Sequence, residues 1–144
     1  MLSKGQAKVF FLGGTIIFSA LFLALSYDTV SNRVDEQTNA QNISEAVIGG
    51  RVLWDENNCM GCHTLLGEGA YYAPELTKVM DRRGVGYVKA ALMTKTPWSP
   101  RGRKMVAYGF TEKEADDLVA FFTWVGKMDL NGFPAEPKYK VEKK

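Results

Sequence analysis

The sequence has very few residues that form disulfides or bind metals through sulfur or nitrogen. Its 144 residues include two cysteines, Cys59 and Cys62, and a single histidine, His63. Two cysteines cannot supply a framework of several disulfides or a zinc site of four thiolates. One histidine cannot provide two axial nitrogen ligands from this chain. All three residues lie within five positions, so one short segment carries most of the metal and redox chemistry that the sequence offers.

An excess of one charge is also lacking. Lysine and arginine number 18 against 16 aspartates and glutamates, which gives a formal net charge of +2. The basic residues are scattered and lack the interleaved aromatic residues of a single-strand binding platform. We therefore expect no nucleic-acid partner. The length suits one ordinary domain with an appendage.

Charged residues are missing between Lys8 and Asp28, and the intervening residues 9–27 are mainly apolar. Nineteen helical residues at about 1.5 Å each span roughly 28 Å, close to the thickness of the hydrocarbon core of a bilayer. We predict a single transmembrane anchor over residues 9–27. Lys4 and Lys8 precede it, which favours a cytoplasmic start over residues 1–8 and an exported C-terminal part.

A cleaved signal peptide is the alternative interpretation of this apolar segment, because Ala24-Leu25-Ser26 has the spacing of a cleavage site. The segment is longer than the usual apolar region of a signal peptide, about 7–15 residues. A retained anchor is therefore favoured. Gly13-Gly14 fits either a lipid-facing helix or a contact seam for another membrane subunit.

Composition divides the rest of the chain into three parts. Residues 28–41 are polar and are predicted as a stalk. Residues 42–133 form the head, and residues 134–144 are a basic tail rich in lysine. The head is too small to build a generous hydrophobic core from its own side chains.

The segment Cys59-Met60-Gly61-Cys62-His63 has the spacing of a covalent c-type haem attachment site. In such sites the two thiols bind the vinyl groups of the porphyrin, and the adjacent histidine becomes the proximal iron ligand. A thioredoxin-type redox pair would need a preceding strand, and half a zinc ribbon would need a second ligand pair. The sequence offers neither. It predicts a c-type cytochrome with one haem, attached outside the cytoplasmic membrane.

Helix signals frame this site and predict a mainly helical head. Asn42 and Glu45 have the spacing of a helix start, and Asn57-Asn58 ends that helix just before Cys59. Thr111 and Glu114 form a capping box before a last helix that extends to about Met128, with Asn131-Gly132 after it. Shorter helices are expected at Leu76–Arg82 and Gly86–Thr94, and no stretch alternates as a strand.

The first and last helices resemble the crossing terminal helices of class I cytochromes c. That resemblance implies that Gly50 and Trp54 meet Leu118 and Phe121 or Phe122, contacts that simple core packing would also give.

Met105 is the best candidate for the sixth iron ligand. It lies on a loop broken by proline and glycine, where class I cytochromes carry theirs. Met60 lies inside the attachment segment, Met128 ends the last helix, and Met80 and Met93 are interpreted as core methionines. Histidine–methionine coordination fills both axial positions and suits electron transfer rather than gas binding.

Pro74 follows His63 by eleven residues. It fits the proline of class I cytochromes whose carbonyl accepts the second N–H of the proximal histidine. An ordinary turn proline is the alternative.

Residues 59–76, CMGCHTLLGEGAYYAPEL, closely resemble the cytochrome c subunit of bacterial nitric-oxide reductase. The resemblance extends over nearly the whole chain, apart from the lysine-rich tail. It implies an electron-entry subunit in the bacterial inner membrane, with a periplasmic haem domain. Its partner would be a polytopic catalytic subunit with haem b and a haem b3/non-haem iron pair, which reduces two NO with two electrons and two protons to N2O and water.

The same resemblance implies a soluble periplasmic cytochrome c or a cupredoxin as electron donor. It also implies a calcium ion at the subunit interface, contacted by the backbone oxygens of Gly69 and Tyr71. Because such a run of sequence is not needed to hold a haem, it suggests a surface shaped for a fixed partner.

Two other functions remain open from the sequence. A longer, more flexible stalk would favour a free-standing anchored carrier, and a haem sensor or small haem enzyme would need an open axial site. A set of basic residues could neutralise haem propionates, dock an acidic donor or form a solvated face: Arg82, Arg83, Arg101, Arg103 and Lys104.

Overall fold

The computed structural model describes residues 3–99, 102–133 and 135, so nearly all of the predicted basic tail 134–144 lies outside the described residues, as does Arg101. The chain divides into two compact units, Met1–Ala40 and Gln41–Lys144. Five α-helices are described: α1 Lys4–Asp28, α2 Val34–Thr38, α3 Glu45–Glu56, α4 Val79–Met93 and α5 Glu112–Gly126. The predicted mainly helical fold is confirmed.

The N-terminal unit is one long helical segment. Ser3 caps α1, and Gln6 returns the bond by accepting from the Ser3 N–H at 2.9 Å. Helical structure continues through a π-helical turn at Thr29–Arg33 and through α2. The combined helix Lys4–Thr38 is long and apolar enough to cross a membrane. The predicted anchor, residues 9–27, lies wholly inside it.

The predicted polar stalk, residues 28–41, is helical almost throughout. Within the π-helical turn the Asn32 side-chain amide donates to the Asp28 carboxylate at 2.8 Å. The helix ends at Asn39, whose φ of 52° is left-handed, as is usual after a helix C-terminus. A 3₁₀ turn at Ala40–Asn42 follows. The polar residues indicated exposure here, and exposure is compatible with a helix as well as with a loop.

The first helix of the head begins two residues later than predicted. Ser44, not Asn42, is the N-cap of α3, and its hydroxyl accepts from the Val47 N–H at 3.3 Å. Asn42 belongs to the preceding 3₁₀ turn, whereas Ser44 has the extended backbone that a cap requires. The C-terminal end agrees with the prediction, since α3 stops at Glu56 and Asn57 follows as its cap.

Helices α3 and α5 cross at Gly50, and this contact organises the core. A Cβ on Gly50 would lie 2.1 Å from the Asp117 carbonyl oxygen and 2.7 Å from Phe121 Cβ. The Trp54 ring lies 6.3 Å from the Phe121 ring and 5.7 Å from the Phe122 ring, centroid to centroid. The predicted crossing is therefore present, although the closest contacts to Gly50 are made by Asp117 and Phe121 rather than Leu118.

Helix α4 merges the two short helices predicted between the haem motif and α5. Gly84 breaks the helical geometry inside it, with φ 75° and ψ 166°, where the sequence placed a separation. Lys89 ties α4 to α5 through the carboxylates of Asp116 at 2.8 Å and Glu112 at 3.3 Å. Met93, predicted as a core methionine, is the last residue of α4 and is 37% exposed.

A short hairpin appears where no strand was predicted. β1 (Thr64–Leu65) pairs antiparallel with β2 (Glu68–Gly69). The two turn residues between them, Leu66 and Gly67, both have positive φ, 54° and 84°. Such two-residue turns match the twist of paired strands. Strands of two residues are too short to show an alternating pattern in the sequence.

The capping box of α5 gives a pH-dependent contribution to stability. The Thr111 N–H donates to the Glu114 carboxylate at 2.8 Å, and the Thr111 hydroxyl does so at 2.7 Å. These hydrogen bonds lower the pKa of Glu114, the backbone bond contributing most. The stabilisation is therefore complete above the ordinary glutamate pKa, about 4.3, and is lost as pH falls through the lower pKa of the folded state.

We expect Glu114→Gln to remove this contribution, so that stability falls less between neutral and acidic pH than in the wild type. The measurement is urea unfolding of the holoprotein at a series of pH values. Glu112→Gln is the matched control, because Glu112 lies in the same helical turn but pairs with Lys89. Equal acid dependence in wild type and Glu114→Gln would contradict the assignment.

Candidate haem attachment site

The cysteine–histidine motif lies on a tight turn directly after α3. Asn58 has a left-handed backbone, φ 49°, and the 3₁₀ turn Cys59–Gly61 follows. The Cys59 carbonyl accepts from the N–H groups of Cys62 at 3.1 Å and His63 at 2.9 Å. Both thiols are free, with Cys59 half-buried and Cys62 exposed. The turn therefore presents two thiols and an imidazole from one compact piece of backbone.

The acid–base properties of Cys59 argue against a redox pair. Burial raises the pKa of the Cys59 thiol to about 11, with further increases from the charges of Cys62 and Asp55. Redox-active Cys-x-x-Cys pairs have the opposite property, a lowered thiol pKa that favours the thiolate. A zinc site is also unsupported, because the described part of the chain contains no group of three or more Cys, His, Asp or Glu placed to hold a metal ion.

The His63 ring is oriented by the backbone of Pro74. Its Nδ1 lies 2.7 Å from the Pro74 carbonyl oxygen. A carbonyl can only accept, so Nδ1–H donates and Nε2 keeps a free lone pair. Burial lowers the pKa of His63, and the Pro74 bond opposes part of that effect. A neutral, oriented imidazole is the form that binds a metal.

The segment after His63 folds back over the motif and fixes it. A Cβ on Gly69 would lie 2.2 Å from the His63 carbonyl oxygen, so only glycine fits this approach. The Ala70 N–H donates to the Met60 carbonyl at 3.0 Å, and the Ala73 N–H donates to the Cys62 carbonyl at 2.8 Å. These contacts show that part of the segment 64–76 holds His63 in place within the chain.

Trp54 of α3 lies beside His63 in the core. Its side chain is 1% exposed, and its ring centroid lies 6.4 Å from that of His63. Among the described residues, the buried Trp54 Nε1 and Thr64 Oγ1 have no hydrogen-bond partner. The two free thiols and the oriented imidazole, all on one turn, fit a covalently held haem.

Met105 lies on an extended segment whose backbone is held in place. Its N–H donates to the Trp98 carbonyl at 2.8 Å, and its carbonyl accepts from the Trp98 N–H at 3.1 Å. The Trp98 ring packs edge-on against Tyr87 of α4 at 5.7 Å. The half-buried Met105 side chain packs against the hydrophobic core that contains Trp54.

The backbone oxygen of Tyr71, one of the two predicted calcium contacts, accepts a hydrogen bond from the positively charged side chain of Arg103. Arg103 Nη1 donates to the Tyr71 carbonyl at 3.2 Å and also to the Tyr72 carbonyl. The Tyr71 side chain itself is 82% exposed. Gly69, the other predicted contact, lies in β2 with its backbone against His63.

Sequence reasoning missed two residues that support this site. Thr77 is fully buried, and its hydroxyl accepts from the Leu66 N–H at 2.7 Å, which fixes the hairpin turn. The second is the contact of Arg103. The sequence suggested haem propionates, an acidic donor or solvent as its surroundings, whereas the structure shows it bound to the Tyr71 and Tyr72 carbonyls, more than thirty residues away. Neither contact follows a local sequence pattern, so no periodicity or motif would have indicated them.

Comparisons with known proteins agree with this geometry. The family model described as cytochrome c matches residues 47–125. The chain is 39% identical over 137 residues to the C subunit of nitric oxide reductase from Stutzerimonas stutzeri, covering 92% of this chain and 93% of that protein. It is 37% identical over 145 residues to the protein of the same name from Paracoccus denitrificans, covering 93% and 95%.

A third relative, the nitric oxide reductase C subunit of Halomonas halodenitrificans, is 35% identical over 145 residues, covering 94% of this chain and 96% of that protein. The similarity therefore includes the N-terminal apolar helix as well as the head. The chain belongs to the cytochrome c family and, within it, to the nitric oxide reductase C subunits.

Proposed function

We propose that this chain is the electron-entry subunit of a membrane-bound nitric oxide reductase. It would take electrons from a soluble periplasmic cytochrome c or cupredoxin and pass them to haem b of a polytopic catalytic subunit. That subunit, with its haem b3/non-haem iron pair, would reduce two NO to N2O and water. The observation that carries the proposal is the His63 imidazole, oriented by Pro74 directly beside two free thiols.

Four side chains of this chain would hold the cofactor. Cys59 and Cys62 would hold the haem covalently through their thiols, and His63 and Met105 would be the side chains that bind its iron. When bound, the haem supplies a one-electron couple whose potential depends on its axial ligands. The Pro74 carbonyl keeps His63 Nδ1 protonated, which leaves Nε2 available. With His63 and Met105 both bound to the iron, the chain would transfer electrons without binding NO itself.

The N-terminal helix supports a fixed place in a membrane complex. Lys4–Thr38 could cross a bilayer, and Lys4 and Lys8 precede its apolar part. In the proposed topology the N-terminus is cytoplasmic, and the head lies in the periplasm of a bacterial inner membrane. The stalk is short, which favours a docked subunit over a free-standing carrier.

Calcium at the interface stays a prediction, and the contacts of this chain do not favour a site made by this chain alone. The Arg103 guanidinium places positive charge at the Tyr71 carbonyl, where a divalent cation would be repelled. We expect that EGTA leaves the haem spectrum and reduction potential of the isolated holoprotein unchanged, with MgCl2-supplemented EGTA as control. A spectral change that calcium alone reverses would contradict this expectation.

Co-purification tests the proposed function. The tagged chain is purified in mild detergent from the membranes of anaerobically grown cells. Its haem spectrum and NO consumption are then recorded. The proposal predicts that b-type haem co-purifies and that the preparation consumes NO. A lone c-haem protein that binds no partner and supports no NO reduction would contradict the proposal and indicate a free-standing carrier.

A further inference from the structure

Arg103 joins two segments on which the haem site depends. It lies two residues before Met105, and its guanidinium binds the carbonyls of Tyr71 and Tyr72. The same group lies over the Tyr72 ring, 5.1 Å from its centroid. Two hydrogen bonds and one cation–π contact thus form a single connection, which we call the Arg103 clamp.

The segment held by the clamp is the one that orients His63. On the N-terminal side of Tyr71, the Ala70 N–H donates a hydrogen bond to the Met60 carbonyl at 3.0 Å. On the C-terminal side of Tyr72, Ala73 is bonded to the Cys62 carbonyl at 2.8 Å, and Pro74 accepts from His63. Tyr71 and Tyr72 are therefore fixed relative to the proximal ligand. A residue that hydrogen-bonds to their carbonyls is therefore also held in position relative to His63.

The segment carrying Met105 has few other restraints. Its other described restraints are the bridge to Trp98, at 2.8 Å and 3.1 Å, the packing of Met105 against the core, and the Tyr108 hydroxyl, which donates to the Asn57 carbonyl at 3.3 Å. The residues on either side of Met105, Lys104 and Val106, are both exposed. Segments with exposed backbone and little buried apolar area open at low free-energy cost. Met105 thus lies on a segment whose position depends on a small number of contacts.

We propose that Arg103 is a positioning residue for Met105, holding the methionine segment against the segment that follows His63. This inference rests on the proposed role of Met105 as the distal iron ligand. The position of the guanidinium, rather than its charge alone, carries the effect. Arg103 Nη1 donates to both neighbouring carbonyls while the planar guanidinium lies over the Tyr72 ring, and lysine has no planar group that could keep the ring contact in this position.

Imidazole binding to the ferric holoprotein measures the effect. Added imidazole can bind the iron only when Met105 has left it, so its apparent affinity reports the fraction of molecules with an open segment. We expect Arg103→Ala and Arg103→Lys each to bind imidazole about tenfold tighter than the wild type, the factor expected for loss of a charged hydrogen bond. The charge-transfer band of methionine-ligated ferric haem should weaken in both variants.

Arg51→Ala is the matched control. Arg51 also uses its guanidinium in a polar contact, donating to the Asp55 carboxylate at 2.8 Å, but both residues lie in α3 and are exposed. Its imidazole affinity should equal that of the wild type. Equal tightening in Arg51→Ala would indicate general loosening and would overturn the proposal.

Two further results would also overturn it. Wild-type affinity in Arg103→Lys, with a change only in Arg103→Ala, would show that charge rather than the clamp is responsible. Wild-type affinity in both variants would show that Arg103 does not restrain Met105.

Met105→Ala separates this proposal from the proposed function. An unchanged spectrum in that variant would refute the axial role of Met105, and the clamp would then have no ligand to position. A changed spectrum in Met105→Ala with no effect of Arg103 variants would refute only the clamp. Co-purification with b-type haem is independent of both results.

Discussion

Replacing Met105 with alanine is expected to lower the reduction potential of the holoprotein by on the order of 0.1–0.3 V, within the roughly 0.8 V range that axial ligands control. A thioether ligand favours ferrous over ferric iron, so its loss favours the oxidised form. The variant should also lose the charge-transfer band of methionine-ligated ferric haem. Redox titration followed by absorbance measures both changes. The head should remain folded, because Met105 lies on a loop outside α3, α4 and α5.

Met93→Ala is the matched control for this experiment. Met93 is the last residue of α4 and is 37% exposed, so its removal should change neither the spectrum nor the potential. A potential unchanged in Met105→Ala would contradict the axial assignment. A large change in Met93→Ala would indicate that the distal ligand had been assigned to the wrong methionine.

Gly50→Ala is expected to destabilise the head by about 3 kcal/mol, at the upper end of the usual cost of overpacking. The new Cβ would lie 2.1 Å from the Asp117 carbonyl oxygen, and neither helix backbone can move away without opening the α3–α5 contact. The loss should lower the midpoint of thermal unfolding by on the order of 10–20 °C. Circular dichroism of the holoprotein during heating measures it.

The control is Gly86→Ala in α4, where an added Cβ meets nothing within 4 Å. Alanine has a higher helix propensity than glycine, so this change should stabilise by roughly 0.5–1 kcal/mol. The two substitutions are chemically identical and should have opposite signs. Equal effects at Gly50 and Gly86 would contradict the close helix crossing.

Features that depend on local sequence were predicted well. The capping box of α5 is present, because Thr111 and Glu114 bond to each other over three residues and need nothing else from the fold. The end of α3 just before Cys59 likewise follows from neighbouring residues. The α3–α5 crossing also agrees with the prediction, which came from the resemblance to class I cytochromes c.

Several features that depend on distant contacts were not predicted. The hairpin after His63 requires Leu66 at φ 54°, a conformation that leucine rarely adopts and that Thr77 supports from eleven residues away. The Arg103 clamp joins residues 31 and 32 positions apart. The helical stalk was missed because polarity reports exposure and does not distinguish an exposed helix from a loop.

The structure also changes the interpretation of the run after His63. The sequence suggested that residues 64–76 form a surface for a partner, because a haem does not need them. Gly69 and Pro74 in fact contact His63 directly, so part of the run is explained within the chain. Tyr71, at 82% exposed, is the residue of the run whose side chain best retains the partner interpretation.

The most direct test of electron entry through this chain is NO consumption by the purified complex with two reductants. One is a reduced soluble cytochrome c, and the other is a small artificial reductant that reaches the catalytic subunit without this chain. In the Met105→Ala complex, the rate with cytochrome c should fall at least about tenfold, since 59 mV changes a one-electron equilibrium tenfold. The rate with the artificial reductant should stay at the wild-type value. A wild-type rate with cytochrome c in that variant, once its potential is shown to have fallen, would contradict electron entry through this chain.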